Sequence, residues 1–224
     1  MGKNVVNQID DQVRIDTMLV SVSDKTGLDE FIPGVVALNP KILILSTGGT
    51  YARISEILDE RAEDHLRQVS DYTGQPETQG GLVKTLDFKI YLGLLTETYN
   101  EAHQGDLKRT RARAIDMVVV NLYPFSQTIA KVDATPENAR GNIDIGGPTM
   151  IRASAKNFIR VASVVDPGSY PRLLEKLEKG KGALSLSDRF ELARKAFEHT
   201  AQYDRAIADY LAGQSFDKIQ SCYA

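Results

Sequence analysis

Cysteine occurs once in the 224 residues, at Cys222, so no internal disulfide can form. The three histidines, His65, His103 and His199, stand far apart, and no Cys/His spacing suits a metal ion. Long apolar runs are missing too. The longest, such as 42–45 and 117–120, fall far short of the roughly 20 residues that span a bilayer. The N-terminus lacks the apolar core of a signal peptide, and Val6 stands where a myristoylation motif wants Ser or Thr. Nor is there a basic surplus: 27 Lys and Arg face 30 Asp and Glu, a net charge of −3. Nucleic acid is therefore a poor main partner, although a few local cations can still hold a small anion. Together these absences lead to the expectation of a reduced, cytoplasmic protein with no metal, no membrane partner and no nucleic acid.

What is present is ordinary globular composition, 42% apolar and 25% charged. A chain this long buries on the order of 70% of its unfolded surface and needs no covalent staple. Residues 1–17 read as a loosely held extension, and 18–224 as one domain without repeats or low-complexity linkers. Short apolar runs at 18–23, 41–46, 117–121 and 161–166 read as strands. The second is apolar on both faces, as in a parallel sheet covered by helices. Helices are expected over 28–38, around Ile54, Ile57 and Leu58, over 170–179 and over 188–211. In the last, Phe190, Ala193, Ala196 and Phe197 share one face. Alternating strands and helices give an α/β fold with a mainly parallel sheet.

In such sheets ligands sit beyond the carboxyl ends of the strands. Two strand ends here are small, polar and glycine-bearing: Ser21-Val22-Ser23-Asp24-Lys25-Thr26-Gly27 and Ser46-Thr47-Gly48-Gly49-Thr50. Glycine admits an oxyanion close to the backbone, and the following helix start offers N–H groups. With the hydroxyls of Ser23, Thr47 and Thr50 and the charge of Lys25, they compose a phosphate cup, though with neither the P-loop nor the dinucleotide spacing. The plainer alternative is two tight turns with capping hydroxyls. Three further segments admit two readings each. Lys84, after Gly80-Gly81, is a site cation or a solvated lysine. Asn121 and Tyr123, at the end of the most apolar strand, read a ligand or pack with a satisfied hydroxyl. Asp144 caps the helix that starts near Gly146-Gly147 or does chemistry, and Lys156, four residues after Arg152, points inward or to solvent.

Taken in order, Ser-Val-Ser-Asp-Lys-Thr-Gly, Gly-Gly-Thr, Val-Lys-Thr-Leu, Asn-Leu-Tyr-Pro-Phe, Ile-Asp-Ile-Gly-Gly, Ala-Lys-Asn and the 195–204 run KAFEHTAQYD resemble one family from about residue 18 to 211. It is the inosine monophosphate (IMP) cyclohydrolase domain of the bifunctional purine enzymes, AICAR transformylase/IMP cyclohydrolase. The resemblance implies a methylglyoxal-synthase-like three-layer α/β sandwich and closure of the purine ring of 5-formamidoimidazole-4-carboxamide ribotide (FAICAR) to IMP, with loss of water. It implies no cofactor and a homodimer. By motif, it implies that Ser23, Lys25, Thr47, Gly49 and Thr50 bind the 5′-phosphate with help from Thr85. Lys84 and Tyr123 then donate to the formyl oxygen, and Asp144 and Lys156 handle the carboxamide proton. Asn121, Ile145 and Gly146 face the base.

Two departures from the family pattern stand out. Where the family reads Gly-Arg-Val-Lys-Thr-Leu-His-Pro, this chain has Leu82 for the arginine and Asp87-Phe88 for His-Pro. The first implies weaker nucleotide affinity or a neighbouring cation in the arginine's place; the second adds a carboxylate that meets Lys84 or faces solvent. The sequence also ends at Ala224, without a transformylase domain. The expectation is a free-standing IMP cyclohydrolase. The alternative is a non-catalytic purine-nucleotide-binding module that regulates a separate AICAR transformylase. Methylglyoxal synthase shares the fold, but its His/Asp site is not matched by these motifs.

Overall fold

The structure is a computed structural model that describes residues 5–76 and 83–223. Seven strands and twelve α-helices are described. The first strand, β1 (Val13–Arg14), is followed by β2 (Thr17–Val22), α1 (Leu28–Leu38), β3 (Leu43–Ser46), α2 (Gly48–Leu58), α3 (Ala62–His65), β4 (Leu66–Gln68) and α4 (Val69–Thr73). The middle of the chain holds α5 (Phe88–Leu95), α6 (Glu101–Thr110), β5 (Met117–Asn121), α7 (Phe125–Ile129), α8 (Pro136–Gly141) and α9 (Gly146–Lys156). It closes with β6 (Ala162–Val164), α10 (Tyr170–Lys179), β7 (Ala183–Leu184), α11 (Leu186–Ala212) and α12 (Phe216–Cys222).

Five strands form a parallel sheet in the order β4-β3-β2-β5-β6. The strands are apolar on both faces because both faces are covered. Met18, Val20, Ile44, Met117 and Val119 meet α1, α2 and α10. Leu19, Leu45, Val118 and Val120 meet α5, α9 and α11. This is the three-layer α/β sandwich expected from the sequence. Each fully buried Leu, Ile or Val contributes about 1.5–3 kcal/mol to holding the layers together. The chain runs outward from β2 to β3 and β4 on one side, then returns to β5 and β6 on the other. The strand order therefore reverses at β2, and a crevice opens beyond the carboxyl ends of β2, β3 and β5. Among the described residues, no helix is long and apolar enough to cross a membrane.

Two expectations change. The segment before β2 is not loosely held along its later part. Val13–Arg14 pairs antiparallel with Ala183–Leu184, and Ile15 is buried in the core. Arg189 of α11, fully buried, donates to the carbonyl oxygens of Asp10, Asp11, Phe158, Ile159 and Leu184. The buried Asp116–Arg160 pair adds a second tie, because Asp116 Oδ2 accepts from the N–H groups of Asp16 and Thr17 at 3.0 and 2.9 Å. The second change concerns α11, whose buried face is Arg189, Ala193, Ala196 and Thr200. Phe190 and Phe197 lie at its exposed edge, Phe190 against Phe158 and Phe197 under the Arg152 guanidinium.

Helix α11 begins at a capping box between Ser185 and Asp188 and runs for 27 residues, about 40 Å. Its first half packs on α9 and β6. Its second half meets α7, where Tyr203 and Tyr210 lie against Phe125, and α12 then packs on α8. The last quarter of the chain thus reaches back to the end of the sheet where the crevice opens.

Candidate functional site

The crevice is built first from backbone ties between neighbouring strands. Thr50, in the first turn of α2, accepts from Val22 N–H at 3.1 Å and donates to Val22 O at 3.0 Å. From the other side, Asn121 at the end of β5 accepts from Ser23 N–H (2.7 Å) and Asp24 N–H (2.8 Å) and donates to Asp24 O (2.8 Å). The loop after β2 is therefore clamped between its two neighbours. It turns into α1 at Gly27, whose φ of +77° lies in the left-handed region that glycine adopts without strain.

Cations gather over the start of α2. The Thr47 hydroxyl lies 3.3 Å from that of Ser21. Lys25 Nζ donates to Ser23 O at 3.4 Å and lies 4.0 Å from where a Cβ on Gly49 would stand. Lys84 Nζ lies 3.2 Å from the corresponding position on Gly48. Two ammonium groups thus close on a Gly-Gly step at the N-terminus of an eleven-residue helix that has no acidic residue in its first turn. Helix dipole and lysines carry the same sign there, which makes this end of the crevice an anion pole.

The other end carries an acid. Asp144 precedes α9, and its Oδ1 accepts from Gly147 N–H at 2.8 Å. Its carboxyl also takes hydrogen bonds from the backbone of Tyr123 and Gly146. Burial nevertheless dominates and pushes the Asp144 carboxyl above the usual carboxylate range. The Asp144 N–H donates to Tyr203 Oη at 2.8 Å, and that hydroxyl donates to Asn142 O at 3.0 Å. Thr85 lies against the start of α9, its hydroxyl 3.0 Å from where a Cβ on Gly146 would stand. Tyr123, half-exposed, stands at the mouth. The poles face one cavity of about 420 Å³, within the usual range for a small-molecule site.

Every residue expected at the site lines this cavity except Lys156. Gly146 and Lys156 are the two ends of α9, about 15 Å apart along its axis, and Lys156 is exposed. Asp144 is therefore the carboxylate of the cavity, without Lys156 beside it. Two lining residues have different work from that expected: the Thr50 hydroxyl and the Asn121 amide are engaged by the β2 loop. Asp87 caps α5, accepting from Lys89 N–H at 2.7 Å, rather than meeting Lys84 or facing solvent. Leu82 lies outside the described residues, as do Gly80 and Gly81. Sequence reasoning gave no role to Tyr203; its one signal was membership of the quoted 195–204 run.

Comparison with known proteins matches two family models. An MGS-like domain covers residues 28–149, and the AICARFT/IMPCHase bienzyme model covers 154–223. The "Bifunctional purine biosynthesis protein PurH" of Prochlorococcus marinus (strain MIT 9211) is 47% identical over 206 residues, 92% of this chain and 38% of that protein. The PurH of Ruminiclostridium cellulolyticum is 46% identical over 197 residues, 88% of this chain and 37% of that protein. The chain thus spans less than two fifths of the length of these curated relatives. Among solved structures, that of ForH superposes with a TM-score of 0.72 at 30% identity, covering 86% of this chain and 96% of the other.

Proposed function

We propose that this chain, which belongs to the MGS-like domain family, is an IMP cyclohydrolase that closes the purine ring of FAICAR. The observation that carries the reading is one cavity with a two-lysine anion pole at Gly48-Gly49 and a half-buried carboxylate, Asp144, at the other end. The identity to PurH proteins supports the same reading. A ribonucleotide has this polarity: a phosphate at one end and a base bearing exchangeable protons at the other.

In the reaction the carboxamide nitrogen attacks the formyl carbon of the same molecule. A carbon–nitrogen bond forms, and the formyl oxygen leaves as water. That oxygen takes one proton from the carboxamide nitrogen and one from the formamido nitrogen. Because both reactants are in one molecule, the protein has to hold the near-attack geometry, move protons and stabilise the oxygen as it gains charge. Lys25, Thr47 and the N–H groups at the start of α2 hold the phosphate. Lys84 and Tyr123 donate to the formyl oxygen. Asp144, whose raised pKa makes it a stronger base than an exposed carboxylate, takes the carboxamide proton. No role within the protomer falls to Lys156. The same reading places the enzyme in the cytoplasm as a homodimer.

The test is steady-state conversion of FAICAR to IMP, followed by absorbance with the purified chain. Turnover above the uncatalysed rate is expected. Tight binding of IMP by calorimetry without turnover would replace this reading with the non-catalytic nucleotide-binding module.

A further inference from the structure

Tyr203 lies 59 residues beyond Asp144 in sequence, yet it touches both parts of the chain that carry the reacting groups. Its hydroxyl accepts from Asp144 N–H and donates to Asn142 O, closing the 142–144 turn from outside. Its ring lies edge-on to Phe125, with centroids 6.2 Å apart, and Phe125 opens α7 two residues after Tyr123. The Asp144 carboxyl completes the circuit through its hydrogen bond from the Tyr123 backbone. Tyr203 can do this because α11 runs on from α9 and β6 to α7.

We propose that Tyr203 is a positioning residue that sets Asp144 in register with Tyr123 while touching no substrate itself. The assignment rests on the cyclohydrolase reading for its kinetic consequence, but not for its structural one. A displacement of about 1 Å in a base can cost on the order of 100-fold in rate. The phosphate pole is built by Lys25, Thr47 and Lys84, which Tyr203 does not hold. Loss of the hydroxyl should therefore act on turnover and leave nucleotide affinity in place.

Tyr210 provides the internal control. It lies on the same helix and packs edge-on to the same Phe125 ring at 5.8 Å, but its buried hydroxyl has no hydrogen-bond partner among the described residues. Tyr203→Phe and Tyr210→Phe thus remove the same atom from similar surroundings, with and without the tie to Asp144.

The experiment measures kcat, KM and IMP affinity for both variants, together with amide hydrogen exchange at Asp144. For Tyr203→Phe, kcat should fall about tenfold or more with KM and IMP affinity within about twofold, and Asp144 N–H exchange should speed up about tenfold against that of Val119 in the sheet. Tyr210→Phe should leave all of these within about twofold. The proposal is overturned if kcat of Tyr203→Phe stays within about twofold of the parent, if Tyr210→Phe loses as much, or if Asp144 exchange is unchanged. If the parent chain does not cyclise FAICAR, the cyclohydrolase reading fails on its own, and the exchange comparison still decides whether Tyr203 holds the turn.

Discussion

Replacing Gly147 by alanine should displace the carboxylate proposed as the base, Asp144, while leaving that residue itself unchanged. A Cβ at 147 would stand 2.6 Å from Asp144 Oδ2 and 2.6 Å from Leu122 Cδ2. Non-bonded heavy atoms rest at about 3.5 Å or more, so both contacts have to open by nearly an ångström. Leu122 is buried in the core, whereas Asp144 has the cavity in front of it. The carboxylate gives most readily on its side, and a shift of that size predicts a loss in kcat of roughly 30- to 100-fold. The fold should survive. Overpacking costs about 1–3 kcal/mol, and alanine in place of glycine within a helix returns up to about 1 kcal/mol. The assay compares kcat, IMP affinity and the urea midpoint for Gly147→Ala and Gly105→Ala. Gly105 lies inside α6 with nothing within 4 Å of an added Cβ, so its replacement should stabilise slightly and leave kcat unchanged. Turnover of Gly147→Ala within threefold of the parent would refute the placement of Asp144 as base.

Lys84→Ala should lower kcat by on the order of 10²–10³, the cost of one preorganised donor at a developing oxyanion, read in the same absorbance assay. Asp144→Asn should remove activity yet hold or raise the melting temperature at neutral pH. Burial raises the folded-state pKa above the unfolded value, so the ionised carboxylate costs stability above that raised pKa, and the variant's advantage should shrink as pH falls through it. In the parent enzyme kcat should fall on the acid side at a pH above the ordinary carboxylate range, as Asp144 gains its proton. Arg189→Met should cost about 3 kcal/mol or more by urea denaturation, because it removes charge-assisted bonds from a buried guanidinium to five carbonyl oxygens.

The sheet was legible because its strands are buried on both faces, which leaves unbroken apolar runs such as 117–120. The edge pair β1–β7 was not, since two residues per strand carry no periodicity and its anchor, Arg189, lies in a helix far along the chain. The poles of the site were legible as residue types at strand ends. Their division of labour was not. A threonine hydroxyl after a strand looks the same in sequence whether it meets a phosphate or, like Thr50, the backbone of the next strand. Asn121 is the same case. The placement of Lys156 was within reach of arithmetic, because ten residues of helix separate it from Gly146. Tyr203 was out of reach, since only the path of α11 on to α7 brings it to Asp144.

The clamp on the loop after β2 has a consequence for the thermodynamics of ligand uptake. A free strand-to-helix loop must be ordered by whatever binds it, at about 1–2 kcal/mol of backbone entropy per residue. Here Ser23 and Asp24 are fixed by Asn121, and Val22 by Thr50, through bonds internal to the protein. On the proposed reading, an incoming phosphate would meet a loop already held in place, so little of its interaction with the lysines and helix start would be consumed in freezing the chain. More of it would remain for the other end of the proposed substrate, where a flexible formamido group has to be held against the carboxamide beside it.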